Sequence, residues 1–264
     1  MRGSDMRRWI QGLGMALVMV LLLGGCGGGD GDGVSSTPCG SLGLSPKIVN
    51  GTNCASPELS PVVLLFVVNS AGGVASCSGT MISSDKILTA AHCVRGSVRR
   101  VVTPVWRADG SAAEMNARRW VAHPGFASTA SGYVNDVAVV FLPSALPNPT
   151  MPLLVSEPSA AKQSVFFAGW GAPGFQLAVG TAVLDRVSTE QLAHHFKGAG
   201  SNTCGGDSGG PMYRQTGAGQ GLIGVTSFGS TQTCGAEDFS VYTNLQSPAV
   251  QSFIRAQVPE AASI

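Results

Sequence analysis

Short apolar runs separated by glycine, serine and asparagine make up most of the chain from Pro61 onward. No run continues with the period of an amphipathic helix, and such runs between turn residues are typical of β-strands. The first half of this region is predicted to contain strands at Val62–Val68, Val74–Ser78, Lys86–Thr89, Val101–Trp106, Trp120–His123 and Val137–Leu142. The second half is predicted to contain strands at Val165–Gly169, Thr181–Val187, Pro211–Arg214, Gly221–Ser227 and Phe239–Asn244. We therefore expect an all-β fold in two parts.

Two segments interrupt this pattern. Residues 143–158 contain five prolines, and because proline cannot donate a backbone hydrogen bond within a sheet, this stretch is predicted to cross between the two β regions. Pro248–Arg255 begins with proline, which suits the first helical position, and places Val250, Phe253 and Ile254 on one helical face. A C-terminal helix is expected there.

The N-terminal segment has the pattern of an export signal. Three arginines within the first eight residues precede an apolar run from Ile10 to Leu23, which is too short to span a membrane comfortably. The run ends in Leu23-Gly24-Gly25-Cys26, which resembles the bacterial lipobox, whose cysteine is lipidated and becomes the new N-terminus. Ordinary signal cleavage beside an incidental Cys26 is the alternative. Residues 1–26 are predicted to be a lipoprotein-type signal peptide, so that the protein is exported, either secreted or held in the cell envelope by a lipid anchor.

Residues 27–47 are predicted to be a flexible tether and pro-segment, because the glycine-rich stretch 27–33 cannot pack. The remaining residues, 48–264, are expected to form one domain, since all-β folds of this size can be a single unit. From Ile48 onward the chain has 12 basic and 12 acidic residues. Zero net charge argues against nucleic acid as a partner, which normally requires a basic surface.

A serine among glycines is the main candidate for chemistry. Ser208 lies in the segment Cys204-Gly205-Gly206-Asp207-Ser208-Gly209-Gly210-Pro211, where glycines let the backbone approach a ligand and aim its N–H groups at one point. A nucleophilic oxygen and donors for an oxyanion are what attack on a carbonyl requires. Alone, such a segment is more often a simple turn. His92, in Thr89-Ala90-Ala91-His92-Cys93, and Asp136, at the head of an apolar strand, supply a base and a carboxylate to orient it.

These three segments, in the order histidine, aspartate and serine, resemble the chymotrypsin/trypsin family of serine proteases from about Ile48 to the C-terminus. The resemblance implies two packed six-stranded antiparallel barrels with a C-terminal helix. It implies that Ser208 attacks the scissile carbonyl of a protein or peptide substrate, His92 transfers the proton, and Asp136 fixes the imidazole. The amides of Gly206 and Ser208 would form the oxyanion hole, and neither a cofactor nor a metal is expected.

The resemblance extends to activation by proteolysis. Lys47-Ile48-Val49-Asn50-Gly51 resembles the activation site of the family, where cleavage after a basic residue frees an α-amino group. It implies that the ammonium group of Ile48 folds inward, pairs with Asp207 and holds the Gly206 amide in the oxyanion hole. The simpler alternative for this segment is the start of a strand.

Seven cysteines in an exported chain indicate an oxidising compartment. The resemblance implies two bridges, Cys77–Cys93 beside the catalytic histidine and Cys204–Cys234 beside the specificity pocket. If Cys26 carries lipid, Cys39 and Cys54 remain, because no cysteine occurs between the two bridges to act as the family's usual partner of Cys54. We hypothesise a Cys39–Cys54 bridge, which would span the Lys47–Ile48 bond.

The specificity pocket of the family would have Asn202 at its base, two positions before the motif cysteine. Trypsin-like members carry aspartate there, whereas Asn202 has no charge and favours an uncharged side chain of medium or large size at the cleaved bond. Small walls at Gly229 and Ser240 leave the pocket open. Glu237 and Asp238 are close in sequence and keep a preference for basic side chains open. If Asn202 sets the preference, cleavage after lysine is poor and another protease activates the enzyme.

The remaining histidines are assigned no catalytic role. The resemblance implies that His123 lies in a surface loop, and His194 and His195 lack partners spaced for a metal. The segment between Gly171 and Asn202 is shorter than in animal members of the family, so the family's intermediate helix and neighbouring loop are not expected in full. The competing interpretation of the chain is a catalytically silent, protease-like binding protein.

Overall fold

The computed structural model describes residues 39–42, 54, 57–107, 109–130, 132–171, 176–197, 201–230, 234–235 and 237–264. The predicted signal peptide with Cys26, most of the tether and pro-segment, and the Lys47–Ile48 bond lie outside the described residues. Within the described ranges, no helix combines the length and the apolar character needed to cross a membrane.

Two antiparallel sheets of seven strands each and a small hairpin make up the fold of this part of the chain. The first sheet and the hairpin contain β1 (Val62–Asn69), β2 (Val74–Ser83), β3 (Lys86–Thr89), β4 (Val98–Trp106), β5 (Ala112–Asn116), β6 (Arg119–Ala122), β7 (Ala127–Thr129), β8 (Gly132–Val134) and β9 (Ala138–Phe141). The second sheet contains β10 (Ser164–Gly169), β11 (Ala178–Val183), β12 (Arg186–Val187), β13 (Gln191–His195), β14 (Pro211–Thr216), β15 (Gly219–Gly229) and β16 (Phe239–Asn244). Two short 3-10 helices, Cys39–Leu42 and Pro57–Leu59, precede β1; helix α1 (Ala91–Val94) follows β3, and helix α2 (Pro248–Gln257) follows β16.

The sheets are curled half-barrels with the orders β5-β4-β1-β2-β3-β9-β6 and β11-β10-β14-β15-β16-β13-β12, and β7 pairs with β8 in the hairpin. The register of the first sheet positions two of the candidate catalytic residues. Thr89, at the end of β3, pairs with Ala138, at the start of β9. His92 follows the first of these positions and Asp136 precedes the second, so antiparallel pairing brings them to the same edge.

The register of the second sheet does the same for the serine. Pro211, at the start of β14, pairs with Val225 of β15. The loop before β14 is hydrogen-bonded to the same strand, since the Gly209 amide donates to the Thr226 carbonyl at 2.8 Å. Ser208 therefore lies beside the C-terminal half of β15.

One large buried cluster joins the two sheets. Its members include Leu88 and Val139 from the first sheet and Val179 and Tyr213 from the second. Trp170 follows β10 and stacks on Trp106 of β4, with ring centroids 5.8 Å apart, and its indole N–H donates to the Val62 carbonyl at 3.1 Å. Burial of such large apolar surfaces is the main stabilising contribution to the fold, so the same packing that stabilises the protein sets the distance between the two halves of the site.

The predicted all-β architecture with a C-terminal helix is confirmed, with seven strands per sheet where six were expected. Helix α2 buries the predicted face of Val250, Phe253 and Ile254. The apolar pattern did not predict β5, β7, β8 or β13. β5 and β13 contain no β-branched residue and no Phe, Tyr or Trp, and β7 and β8 have only three residues each. The predicted strand Thr181–Val187 is two strands, because the backbone of Leu184 bonds to residues 162 and 163 and ends β11.

Candidate active site

Asp136 holds His92 by two hydrogen bonds. His92 Nδ1 lies 2.7 Å from Asp136 Oδ2, and the His92 backbone N–H donates to Asp136 Oδ1 at 2.8 Å. Asp136 has no exposed surface. Because a carboxylate accepts hydrogen bonds, Nδ1 carries the proton in the neutral ring, which leaves Nε2 free to accept one.

The second sheet also contacts this aspartate. Ser227, in β15, donates from Oγ to Asp136 Oδ2 at 2.6 Å, and Thr243, in β16, donates from Oγ1 to the Asp136 backbone carbonyl at 3.0 Å. Both side chains are buried. Asp136 therefore lies next to a strand of the first sheet, while hydrogen bonds from the second sheet help to orient it. The roles of Ser227 and Thr243 were not predicted, since no local motif carries them.

The hairpin of β7 and β8 covers the imidazole. Tyr133 stacks on His92 with ring centroids 5.5 Å apart and planes 22° apart, and it meets the ring of Phe228 edge-on at 5.9 Å. The His92 side chain keeps 23% of its surface exposed. Partial exclusion of water strengthens the interaction of the imidazole with Asp136 while leaving one edge accessible.

The Cys77–Cys93 disulfide contacts both His92 and the backbone of Ser208. The Cys93 sulfur is 3.8 Å from His92 Nε2 and 3.8 Å from the Ser208 carbonyl oxygen. The Ser208 carbonyl also accepts the Ser78 backbone N–H at 2.7 Å, which ties the serine loop to β2. The predicted bridges Cys77–Cys93, Cys204–Cys234 and Cys39–Cys54 are all present in the structure.

The peptide of Gly206 is held by a buried hydroxyl. Gly206 has φ of +98°, a conformation that L side chains rarely adopt. Its carbonyl accepts a hydrogen bond from Ser78 Oγ at 2.9 Å. Ser78 Oγ in turn accepts the Trp170 backbone N–H at 2.9 Å. Ser78 has no exposed surface, so its hydroxyl links three parts of the chain around the predicted oxyanion hole. From its local sequence, Ser78 is predicted only to lie in a strand.

Asp207 is partly buried and accepts two backbone hydrogen bonds. Gly171 N–H donates to Oδ1 at 2.8 Å and Cys204 N–H donates to Oδ2 at 2.9 Å. Burial raises the pKa of Asp207, and the two amides act in the opposite direction. A Cβ at Gly171 would lie 2.6 Å from this carboxylate. A residue with a side chain at this position would therefore clash with Asp207. The predicted partner Ile48 lies outside the described residues.

A cavity of about 250 Å³ opens beside Ser208. Its described lining residues are Thr203, Cys204, Gly205, Ser208, Thr226, Phe228, Gly229, Cys234 and Asp238. Gly229 is one of these lining residues, whereas the other two residues predicted for the specificity pocket, Asn202 and Ser240, are not. Asn202 lines a separate cavity of about 80 Å³, which Asp207 also lines. Ser240 is buried and donates to Asn202 Oδ1 at 2.6 Å. The residue predicted for the pocket base is therefore hydrogen-bonded to Ser240 and lines a different cavity.

The histidines and cysteines were also compared with the ligand sets of metal sites. Cys77, His92 and Cys93 lie within metal-binding distance of one another, but the two sulfurs form a disulfide and are not thiolate ligands. His123 is buried and not at the surface as expected, and its Nδ1 accepts the Gly125 N–H at 3.0 Å. Burial lowers the pKa of His194, and this histidine lines a larger cavity of about 570 Å³ on the second sheet, whose described lining includes none of the three predicted catalytic residues.

Comparisons with known proteins agree with this fold and site. The sequence model of the Trypsin family matches residues 48–254, and the chain belongs to this family of serine proteases. A chymotrypsin-like serine proteinase of Haliotis rufescens is 28% identical over 232 residues, covering 77% of this chain and 89% of the relative. Phenoloxidase-activating factor 3 of Holotrichia diomphalia is 29% identical, covering 75% of this chain and 69% of the relative. A solved structure, described as HL collagenase, has a TM-score of 0.64 and 23% identity, and the match covers 80% of this chain and 99% of that one.

Proposed function

We propose that the protein is an endopeptidase that cleaves peptide bonds through a His92–Asp136–Ser208 triad and an acyl-enzyme. The observation that supports this most strongly is the fully buried Asp136 carboxylate, which binds His92 at Nδ1 and accepts the Ser227 hydroxyl from the opposite sheet. A carboxylate held in this way orients the imidazole and stabilises its protonated form.

The proposed reaction begins with proton transfer. Ser208 Oγ attacks the substrate carbonyl as His92 Nε2 accepts the hydroxyl proton, and the new oxyanion is bound by the N–H groups of Gly206 and Ser208. His92 then gives the proton to the leaving amine, and an ester on Ser208 remains. Water, activated by His92, hydrolyses this ester and regenerates the serine.

We further propose that the chain is made as a zymogen that is cleaved after Lys47. The contacts of Asp207 support this, because its partly buried carboxylate has a raised pKa and two neutral amide partners. The freed ammonium group of Ile48 would neutralise this charge and lower its cost. Pairing would also fix the peptide between Gly206 and Asp207, since the two residues are adjacent.

Export with a lipid anchor at Cys26, in a bacterial envelope, is part of the same proposal. Three disulfides are consistent with an oxidising compartment. The Cys39–Cys54 bridge spans the Lys47–Ile48 bond, so activation would nick the chain and leave the pro-segment attached. The enzyme would then remain at its anchor after activation.

Hydrolysis of an unbiased peptide mixture by the cleaved protein tests the proposal. The wild-type chain should produce new peptide ends, whereas Ser208→Ala and His92→Ala, prepared and cleaved in parallel, should not. If all three proteins leave the mixture intact while retaining folded-state circular dichroism, the catalytically silent binding protein is the better interpretation.

A further inference from the structure

The cavity beside Ser208 has one charged residue among its described lining residues, and that residue is Asp238. We propose that Asp238 determines specificity and directs cleavage to the carboxyl side of lysine or arginine. This inference rests on the endopeptidase function proposed above. It replaces the neutral pocket expected from Asn202 with a pocket that carries negative charge from another position.

Hydrogen bonds hold the Asp238 carboxylate in its place. Asn202 Nδ2 lies 3.0 Å from Asp238 Oδ2, and Ser230 Oγ lies 3.0 Å from Oδ1. Asp238 has no exposed surface. Both oxygens of this buried carboxylate therefore have donors, and such hydrogen bonds offset the cost of burying a charge at the wall of the cavity.

Asn202 acts here as a positioning residue. Its second amide hydrogen is donated to the Cys234 carbonyl at 3.1 Å, and its oxygen accepts the Ser240 hydroxyl at 2.6 Å. These contacts fix the orientation of the amide, so that its nitrogen and not its oxygen faces Asp238. The residue that resembled a neutral pocket base therefore supports a charged one.

The rest of the lining suits a long side chain with a cationic end. Phe228, Gly229 and the Cys204–Cys234 disulfide provide uncharged walls for methylene groups, which lysine and arginine bury while their charged ends find polar partners. A cation inside the cavity is shielded from water, and the attraction of Asp238 is stronger there than at the surface. The same preference makes the Lys47–Ile48 bond a substrate of the active enzyme.

Matched peptide amides that differ only in the residue before the cleaved bond test this proposal. Chain cleaved after Lys47, with the activating protease removed, should give a higher kcat/KM for lysine and arginine than for glutamine or phenylalanine. Asp238→Asn should lower kcat/KM for the two basic substrates roughly 10- to 100-fold, the range for loss of a hydrogen bond to a charged group, and leave the neutral substrates within about twofold.

Glu237→Gln is the matched control, because it removes the same charge from the adjacent, exposed residue outside the cavity lining. Its ratio of basic to neutral hydrolysis should equal that of the wild type. Equal ratios in wild type and Asp238→Asn, or a wild-type preference for neutral residues, would overturn the role of Asp238 and leave the endopeptidase proposal intact. Loss of hydrolysis of every substrate by the wild type would instead overturn the endopeptidase proposal.

Inhibition of the wild type provides a second measurement, which does not depend on whether a variant folds. Benzamidine, an aromatic cation, should inhibit hydrolysis of a neutral substrate at least 10-fold more tightly than benzamide, its uncharged analogue of the same shape, if a carboxylate contributes at this site. Equal inhibition by the two compounds would contradict the proposal.

Discussion

Ser78→Ala is expected to damage catalysis and stability together. In the wild type the Ser78 hydroxyl donates to the Gly206 carbonyl and accepts the Trp170 N–H, each at 2.9 Å, with no exposed surface. Alanine leaves both buried groups without this partner. An unsatisfied buried polar group costs about 1–3 kcal/mol, so with two such groups we expect the free energy of unfolding to fall by about 2–6 kcal/mol.

The catalytic loss follows from the position of Gly206. Removal of a complete oxyanion donor costs about 100- to 1000-fold in kcat. Ser78→Ala keeps the Gly206 N–H and removes only the hydrogen bond that holds the Gly206 carbonyl. We therefore expect kcat to fall about 10-fold. KM should stay within about threefold, because Ser78 does not line the substrate cavity.

The assay is steady-state hydrolysis of one peptide amide, with active sites counted by a burst titrant and the temperature kept well below unfolding. Ser83→Ala is the control, since Ser83 also lies in β2 but its hydroxyl donates to the Asp85 carboxylate at 3.2 Å. This variant should keep the wild-type kcat. If Ser78→Ala lowers stability but leaves kcat per titrated site unchanged, Ser78 does not position the oxyanion hole and the reasoning is refuted.

Three further predictions concern activation. The first concerns uncleaved Ser208→Ala protein, in which the pKa of Asp207 is raised by burial. The contribution of Asp207 to the free energy of unfolding is therefore fully present below the usual carboxyl pKa of about 3.9, and it is lost as the pH rises through the raised pKa. Asp207→Asn in that background should flatten this decline in thermal unfolding between acid and neutral pH, and an identical decline would contradict it. Purified wild-type zymogen should cleave itself with an accelerating time course, and Lys47→Gln should stay intact by N-terminal sequencing; equal cleavage of both would exclude self-activation at this bond. On a non-reducing gel, cleaved wild type should keep its pro-segment and cleaved Cys39→Ser should lose it, whereas separation in the wild type would show that the Cys39–Cys54 bridge does not hold it.

The residues of the site that could be predicted from sequence are those carried by local segments. His92, Asp136 and Ser208 each lie in a short motif whose residue types suit their chemistry, and their order along the chain is informative without any knowledge of contacts. The strands that carry them also have strong apolar patterns. Local information was therefore enough for the family and for the main architecture.

The supporting residues could not be found in this way, because their roles depend on partners far away in sequence. Ser78 is 128 residues from Gly206, and Ser227 is 91 residues from Asp136. The sequence shows Asp238 only as a charge close to the predicted pocket, since nothing in it indicates that Asn202 is hydrogen-bonded to this residue. The packing of the two sheets creates these contacts, and packing is a property of the whole chain.

Labelling by a fluorophosphonate probe tests the central claim most directly, because the probe reacts with an activated serine and reports no preference for a peptide. Cleaved wild-type protein should bind about one probe per chain, located at Ser208 by mass spectrometry, as a nucleophile activated by an adjacent base requires. Ser208→Ala should bind none, and Asp136→Asn should react far more slowly. Folded, cleaved wild type that remains unlabelled at Ser208 would contradict the account.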